Sequence, residues 1–348
     1  MWSPASAWCQ PLGLLRARTG EGGPRADAQR HTRRMPRVIH TAQALVDAVM
    51  EVPALPTRGG NVMATSYQRY AGGAVTILLA AARSGASCVH AGAVGTGPNG
   101  DLVRAALTAE GIEVSSPAVP EVDTGVCVVL VEPTAERSFV TTQGAERRIS
   151  VESLASSAPV AGDLVCVSGY SLVGRTRDPL VAWLDVLDPG VVVVLDPGAV
   201  FAELDATLRD RVLARTTVWT GNADEAAALT GVHGLHEATE VVATLLATDA
   251  VTIVRDGPRG CAVREGGRTH FIAGHPQRPV DTNGAGDTHT GVLLAERAAG
   301  ASWSQAAARA NAAGAIKVTR RGPDTAPTRA EIDAFLGGDL VTGPTSGQ

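Results

Sequence analysis

Asp281-Thr282-Asn283-Gly284-Ala285-Gly286-Asp287-Thr288, with an apolar run over residues 292–299 behind it, is the stretch around which the chain is organised. Asp281, Thr282 and Asn283 favour turns and helix N-caps, because their side-chain oxygens accept bonds from free backbone N–H groups. Gly284 and Gly286 let the backbone approach a ligand with no Cβ in the way. A helix that starts here turns unpaired N–H donors and the positive end of its dipole toward an anion. Asp287 stands in that field, where a carboxylate is held charged and can accept a proton. An anion hole and a general base are thus one residue apart. Taken alone, the stretch fits an ordinary glycine-rich loop with a capped helix equally well.

Composition narrows the field. The 348 residues suffice for one large α/β domain or two ordinary ones, with a core that needs no staples. Hydrophobic content of 45% and charged content of 19% are those of a globular protein. A net charge of −5, without basic clusters interleaved with aromatics, argues against a nucleic-acid binder. The basic residues are 29 arginines and one lysine, Lys317, a bias that points to a GC-rich coding sequence. Five cysteines with no C-x-x-C pair fit reduced, buried thiols of a cytoplasmic protein. No apolar run approaches the ~20 residues of a membrane span.

Residues 1–37 carry seven arginines against two acids, Glu21 and Asp27, with many Pro, Gly and Ala and no clear period. Arg-rich, acid-poor N-termini include transit peptides, but this one lacks an amphipathic pattern. Residues 1–36 are expected to be a disordered extension and residues 337–348 a disordered tail, with a single domain over 37–336.

Within that domain, a strand at 38–40 leads into a segment bearing Asp47. No glycine follows in Thr41-Ala42-Gln43-Ala44, which counts against a dinucleotide-binding start, and Lys317 follows Ile316 where a P-loop requires glycine. Pro and Gly punctuate 53–73, which is expected to hold short strands and turns. Gly73 then opens a helix closing at Gly85, a strand spans 89–94, and an amphipathic helix runs from Gly100 to Gly111. Residues 126–131 and 137–142 read as a hairpin. With residues 53–70, this 124–142 region is expected to form a small sheet that must pack on something else. From Gly162 strands (164–168, 191–195, 216–219, 250–254) alternate with helices (177–187, 201–214, 224–229, 237–246), the pattern of a mostly parallel sheet covered on both faces. Ligands bind beyond the carboxyl ends of such strands. The last helices are expected at 303–319 and 329–335.

Other constellations carry weaker signals. In Asn222-Ala223-Asp224-Glu225, Asn222 is a good N-cap and Glu225 stands in capping-box position. Glu225 could equally hold water on Mg²⁺, which prefers few carboxylates and several waters beside phosphate oxygens. Asp256-Gly257-Pro258-Arg259-Gly260 follows a strand and suits either a nucleotide or a tight turn. His275 and His289 lack metal-site spacing, and no G-x-S-x-G supports a serine hydrolase.

Taken together and in order, these motifs resemble the ribokinase or PfkB family of carbohydrate and nucleoside kinases, from about Val38 to Phe335. Asp281–Asp287 is similar to the family's D-T-x-G-A-G-D signature, and Tyr70-Ala71-Gly72-Gly73 to its di-glycine signature. Gly92-Ala93-Val94-Gly95 through Glu110-Gly111-Ile112, Asn222–Glu225, Gly257–Gly260 and Asn311-Ala312-Ala313 also follow the family pattern. The resemblance implies a ribokinase-like three-layer α/β/α sandwich with a small β-sheet lid, here residues 53–70 and 124–142. It implies an ATP-dependent kinase acting on a hydroxymethyl group. Asp287 would be the base, and Gly284, Ala285 and Gly286 would bind the charge developing on the γ-phosphate. Asp47, Gly72 and Gly73 would hold the sugar; Arg255, Asp256, Gly257, Gly260 and Asn311 would line the nucleotide; Asn222 and Glu225 would serve Mg²⁺ and phosphate. Asp281, Asn283 and Gly322 match a monovalent-cation (K⁺) site of some members.

The chain departs from the family on the sugar side. Ile77 stands where an Asn is common, Gly95-Thr96-Gly97 replaces an acidic G-D-D, and Leu45 replaces an Asn that contacts ribose in ribokinase. A nucleoside acceptor, stacked on Tyr67, Tyr70 or Phe139, is the alternative substrate. A catalytically idle sugar- or nucleotide-binding regulator is the alternative of another class, against which the retained Asp287 speaks. Lid pairing into a homodimer is compatible with the pattern.

Overall fold

The structure is a computed structural model and describes residues 34–134 and 136–338. A boundary between Arg34 and Met35 precedes the unit that holds every element below. The extension expected over 1–36 therefore lies outside the described residues save for 34–36, and so does the expected tail from 339 onward.

The chain enters through β1 (Val38–His40) and passes at once into β2 (Ala44–Glu51) and β3 (Ser66–Gly73). Then come α1 (Ala74–Arg83), β4 (Cys88–His90), α2 (Pro98–Ala109) and β5 (Glu113–Val114). A hairpin of β6 (Val126–Val131) and β7 (Arg137–Thr141) follows, then α3 (Val151–Ala155). The alternating half consists of β8 (Leu164–Ser168), α4 (Arg177–Asp185), β9 (Val192–Asp196), α5 (Ala206–Arg215) and β10 (Val218–Asn222). It continues through α6 (Ala223–Thr230), α7 (Leu235–Thr244) and β11 (Val251–Arg255). After β12 (Gly260–Glu265) and β13 (Arg268–Ala273) come α8 (Ala285–Ala298), α9 (Trp303–Lys317) and α10 (Arg329–Gly338).

Among the described residues, nine strands form the main sheet in the order β13-β12-β11-β10-β9-β8-β1-β4-β5. From β11 to β5 every pairing is parallel; β12 and β13 close one edge as an antiparallel hairpin. Strands buried on both faces must be apolar throughout, and successive residues accordingly join two different cores. Val38, Leu164, Cys166, Val194 and Val218 pack with α1, α2, α8, α9 and α10. Their neighbours Ile39, Val165, Val167, Val193 and Trp219 pack with α3, α4, α5, α6 and α7. This is the three-layer sandwich that the alternation implied.

The second sheet runs β3-β2-β6-β7. Its place in the chain corrects the expected lid boundaries. β2 is a central lid strand, so Asp47 is a lid residue, and residues 53–65 form a connection without strand. Alternate residues of β2 (Ala44, Val46 and Ala48) are buried, while Asp47 and Val49 face the other way. Elsewhere the boundaries shift by a few residues. The strand expected to reach Val94 ends at His90, and the helix expected over 201–214 divides into a short 3₁₀ turn (Phe201–Glu203) and α5, because Asp205 caps the amides of Thr207 and Leu208. The edge hairpin β12–β13 was not anticipated.

Two helix starts converge because α8 lies unusually close to α1. A Cβ on Gly291 would come within 2.2 Å of the Ile77 carbonyl oxygen and 2.7 Å of the Ala80 Cβ. Gly291→Ala is expected to destabilise the protein by ~2 kcal/mol through this overpacking, although alanine is intrinsically favoured in a helix by about 1 kcal/mol. Urea unfolding checks the sign: a variant as stable as the parent or more so would contradict the close approach.

Candidate active site

The carboxyl ends of β9, β10 and β11 lie side by side, with Val194 opposite Val218 and Asn222 opposite Arg255. This register delivers Asp196, Asn222 and Arg255 to one rim of the sheet. Arg255 is the centre of the cluster. Its Nη1 donates to the Gly286 carbonyl at 2.9 Å and to Thr290 Oγ1 at 2.8 Å, both on α8. Its Nη2 lies 3.6 Å from Asp196 and 3.9 Å from Glu225. Thr290 in turn donates to Asp196 at 3.3 Å. Sequence reasoning placed Arg255 and Glu225 here but missed Asp196 and Thr290. The one available signal for Asp196 was an acid closing an apolar strand before Pro197.

Helix α8 begins at Gly284 with φ of 76° and no side-chain cap. A Cβ there would crowd the Pro323 carbonyl oxygen and the Thr76 methyl, each at 3.1 Å, so both the conformation and the space require glycine. At Gly286 a Cβ would meet nothing closer than the Arg255 guanidinium at 3.5 Å, which leaves room over the first turn. Asp287 projects from that turn. Burial pushes its pKa up to about 7; Asp196, Asp47 and Glu225 add to the rise, and Arg255 opposes it. The sequence reading had the helix field dominating; the surrounding carboxylates and desolvation outweigh it.

The lid brings the sugar-side residues together. Asp47 lies over Gly72, whose Cβ would overlap the Asp47 carboxylate at 2.2 Å. Gly73 has φ of 63°, and a Cβ there would fall 2.4 Å from the Gln43 carbonyl oxygen. The di-glycine thus makes space for an acid at the start of α1. Burial pushes Asp47 up to about 6. A cleft of about 530 Å³ runs between this lid face and the main body, lined by Val49, Gln68, Tyr70, Val129, Arg137 and Asn283 among others. It opens onto Asp281 and Asn283 rather than onto Asp287 itself. Arg137 spans it, donating from β7 to Asp281 at 2.7 Å and to Thr282, and Arg321 pairs with Glu51 of β2. Of the three lid aromatics, Tyr70 pairs with Asp47 and Phe139 with Val129, on the cleft face. Tyr67 pairs with Met50 and faces the other way.

Among the residues expected to meet the nucleotide, Asn222 and Glu225 form the capping box at 2.8 Å in both directions. Glu225 keeps its carboxylate beside Arg255, and burial followed by Asp196 raises its pKa. The cap and a place beside Arg255 therefore coexist. Asp256, Gly257 and Gly260 shape the turn between β11 and β12, where Gly260 has φ of 108° and lies against the Ile272 carbonyl oxygen. Asn311 is committed to the protein itself: its amide donates to the carbonyls of Ile272 and Ala273 and its oxygen meets His289 Nε2 at 3.1 Å. It clamps β13 to the helices behind the site.

An uncapped helix start with open space above it fits a phosphate. Two carboxylates, Asp196 and Glu225, at its edge fit Mg²⁺, which is held by one or two carboxylates plus phosphates and water rather than by an all-protein cage. No group of three or more His, Cys, Asp and Glu residues that could hold a metal occurs among the described residues.

Comparison with known proteins agrees with the geometry. Residues 35–329 match the pfkB family carbohydrate kinase model. The chain is 30% identical over 302 residues to the uncharacterized sugar kinase YegV of Escherichia coli K12, covering 85% of this chain and 92% of that protein. It is 29% identical over 296 residues to the ribokinase of Haemophilus influenzae, covering 83% and 95%. Its fold is similar to that of a putative ribokinase II from Escherichia coli solved with ATP and Mg²⁺, with a TM-score of 0.75 at 22% identity over 87% of this chain and 99% of that one. With its anion-binding turn, its lid and these relatives, the chain belongs to the pfkB family of carbohydrate kinases.

Proposed function

We propose that Asp287 is the base with which this ATP-dependent carbohydrate kinase moves the γ-phosphoryl group of ATP onto a hydroxymethyl oxygen of a free sugar or sugar derivative. The observation that carries the proposal is the Asp287 carboxylate in the uncapped first turn of α8, with a pKa of about 7. A base works best when its pKa lies near the working pH. Asp287 takes the proton of the acceptor hydroxyl as its oxygen bonds to the γ-phosphorus and the bond to the ADP oxygen breaks. The amides of Gly284, Ala285 and Gly286 face the charge that grows on the transferred group, where preorganised donors act most strongly. Arg255 holds the Gly286 carbonyl and Thr290, and so fixes that turn. Asp47 receives sugar hydroxyls from the lid side, with Gly72 and Gly73 leaving them room. Arg255 to Gly260 borders the nucleotide. Bound through water at Glu225 and Asp196, Mg²⁺ would supply charge neutralisation on the phosphates.

A sugar is favoured over a nucleoside because Tyr70 is the one lid aromatic that lines the cleft: Tyr67 faces away and Phe139 lies outside the lining. Tyr67 and Val140, exposed on the lid face that points away from the cleft, suit a homodimer formed through the lid. The four cysteines among the described residues are free and buried, which suits a cytoplasmic enzyme, and no helix among those residues is long and apolar enough to cross a membrane.

ATP consumption across a panel of sugars and nucleosides tests the reading, and no turnover on any of them would favour an idle binder. On the acceptor that works, Asp287→Asn is expected to lower kcat by roughly 10²-fold or more while ATP binding persists; a loss below about threefold would remove Asp287 from the role. The same variant separates chemistry from misfolding. A carboxyl whose pKa is raised on folding binds its proton more tightly in the native state, so its ionisation destabilises the fold as pH rises from about 4 through about 7. Asp287→Asn is therefore expected to melt higher than the parent at pH 8, with the gain vanishing toward pH 4. Equal melting curves at both pH values would contradict the desolvated carboxylate.

A further inference from the structure

Lys317 is the single lysine of the chain, set against 29 arginines, and its exposure is 0%. It ends α9, and its ammonium donates to the Asp281 carbonyl oxygen at 3.0 Å, with the Asp281 carboxylate 3.9 Å away. Burying an ammonium is costly unless charge and hydrogen bonds compensate. A guanidinium, the cation used everywhere else in this sequence, is a planar fork; an ammonium is a compact point charge. At this one position the chain uses the point charge.

Its surroundings show what it acts on. Asp281 opens the turn that delivers α8, and each of its polar groups is tied. Its N–H donates to the Val318 carbonyl at 3.1 Å. Its carboxylate accepts from the amides of Asn283 at 2.8 Å and Gly322 at 3.0 Å, and from Arg137 at 2.7 Å. Burial pushes the Asp281 pKa up, but those two amides, Lys317 and Arg137 together hold it below the usual carboxylate range. The remaining carbonyl belongs to Lys317. The charge of Lys317 also reaches Asp287.

We infer that Lys317 is a built-in monovalent cation for the anion-binding turn, its tethered ammonium holding the backbone from Asp281 to Gly284 so that catalysis by this chain is independent of added K⁺. The inference rests on the kinase reading above. K⁺ does not fit beside Asp281, Asn283 and Gly322 as the side chains stand, because the Asp281 oxygens are already taken by an ammonium, a guanidinium and two amides. Removing the ammonium would leave a hole bordered by the Asp281 carbonyl and carboxylate. K⁺ or NH₄⁺ matches an ammonium in size; tetramethylammonium is too large.

The test uses the full chain with Mg²⁺, ATP and the acceptor that it phosphorylates, at constant ionic strength in the chlorides of K⁺, NH₄⁺ or tetramethylammonium. The parent's kcat is expected to differ by less than about twofold among the salts, whereas Lys317→Met should lose about 100-fold in tetramethylammonium and regain about tenfold or more in K⁺ or NH₄⁺, with little change in the KM for ATP. Melting without substrates gives a second readout: the parent's midpoint should be the same in K⁺ and tetramethylammonium, and that of Lys317→Met should rise in K⁺. A parent that needs K⁺ for activity, or that is stabilised by it, would overturn the inference without any variant. So would a folded Lys317→Met variant whose loss neither cation repairs. A protein that turns over no acceptor yet melts as described would overturn the kinase reading instead.

Discussion

One guanidinium faces two carboxylates and braces the turn that bears a third. Arg255 faces Asp196, Glu225 and, through the backbone of α8, the turn that bears Asp287. A single positive charge does not offset three negative ones at such short range, and burial removes the water that would otherwise screen them. Burial first, and this deficit after it, raises Asp287, which holds its proton to near neutrality. The arrangement follows from the fold: parallel strands in register end together, so the acids and the arginine at their carboxyl ends have nowhere else to go.

The lid completes the site from the other side, and it is coupled to the anion-binding turn. Asp47 sits on β2, which leaves the main sheet directly after β1, while β3 runs without a break into α1. Arg137 joins β7 to Asp281 and Thr282, and Glu51 joins β2 to Arg321. The residues proposed to meet the acceptor and those proposed to meet the phosphate are thus linked through Asp281. An acceptor that repositions the lid would act on the turn that binds the transferred group.

Much of this was legible in the sequence, for identifiable reasons. Apolar runs such as residues 191–195, and 250–254 with Thr252 as its one polar member, read as strands buried on both faces, and their alternation with helices implied the sandwich. The turn from Asp281 to Asp287 combined caps, glycines and an acid in one short stretch. The capping box at Asn222 was readable, although not that Glu225 would also stand by Arg255. Other features hid. In β2 the residues on both faces are largely apolar, because one face packs inward and the other covers the cleft, so no period of two marked it as a lid strand. Asp196 and Thr290 gain their meaning only from strands and helices far apart in sequence. The edge hairpin had a signal in Gly266-Gly267 between alternating segments, and it went unread. Asn311 was assigned to the nucleotide by pattern, whereas its amide is spent on β13.

The central claim is that a desolvated Asp287 carboxylate must be ionised for phosphoryl transfer. The most direct measurement is kcat/KM against pH with both substrates far below saturation, which reports the free enzyme. A base with a raised pKa is active above that value and silent below it. Activity is expected to fall about tenfold per pH unit once the pH drops below about 7. A profile that stays flat down to pH of about 5, near an ordinary carboxylate's range, would contradict it.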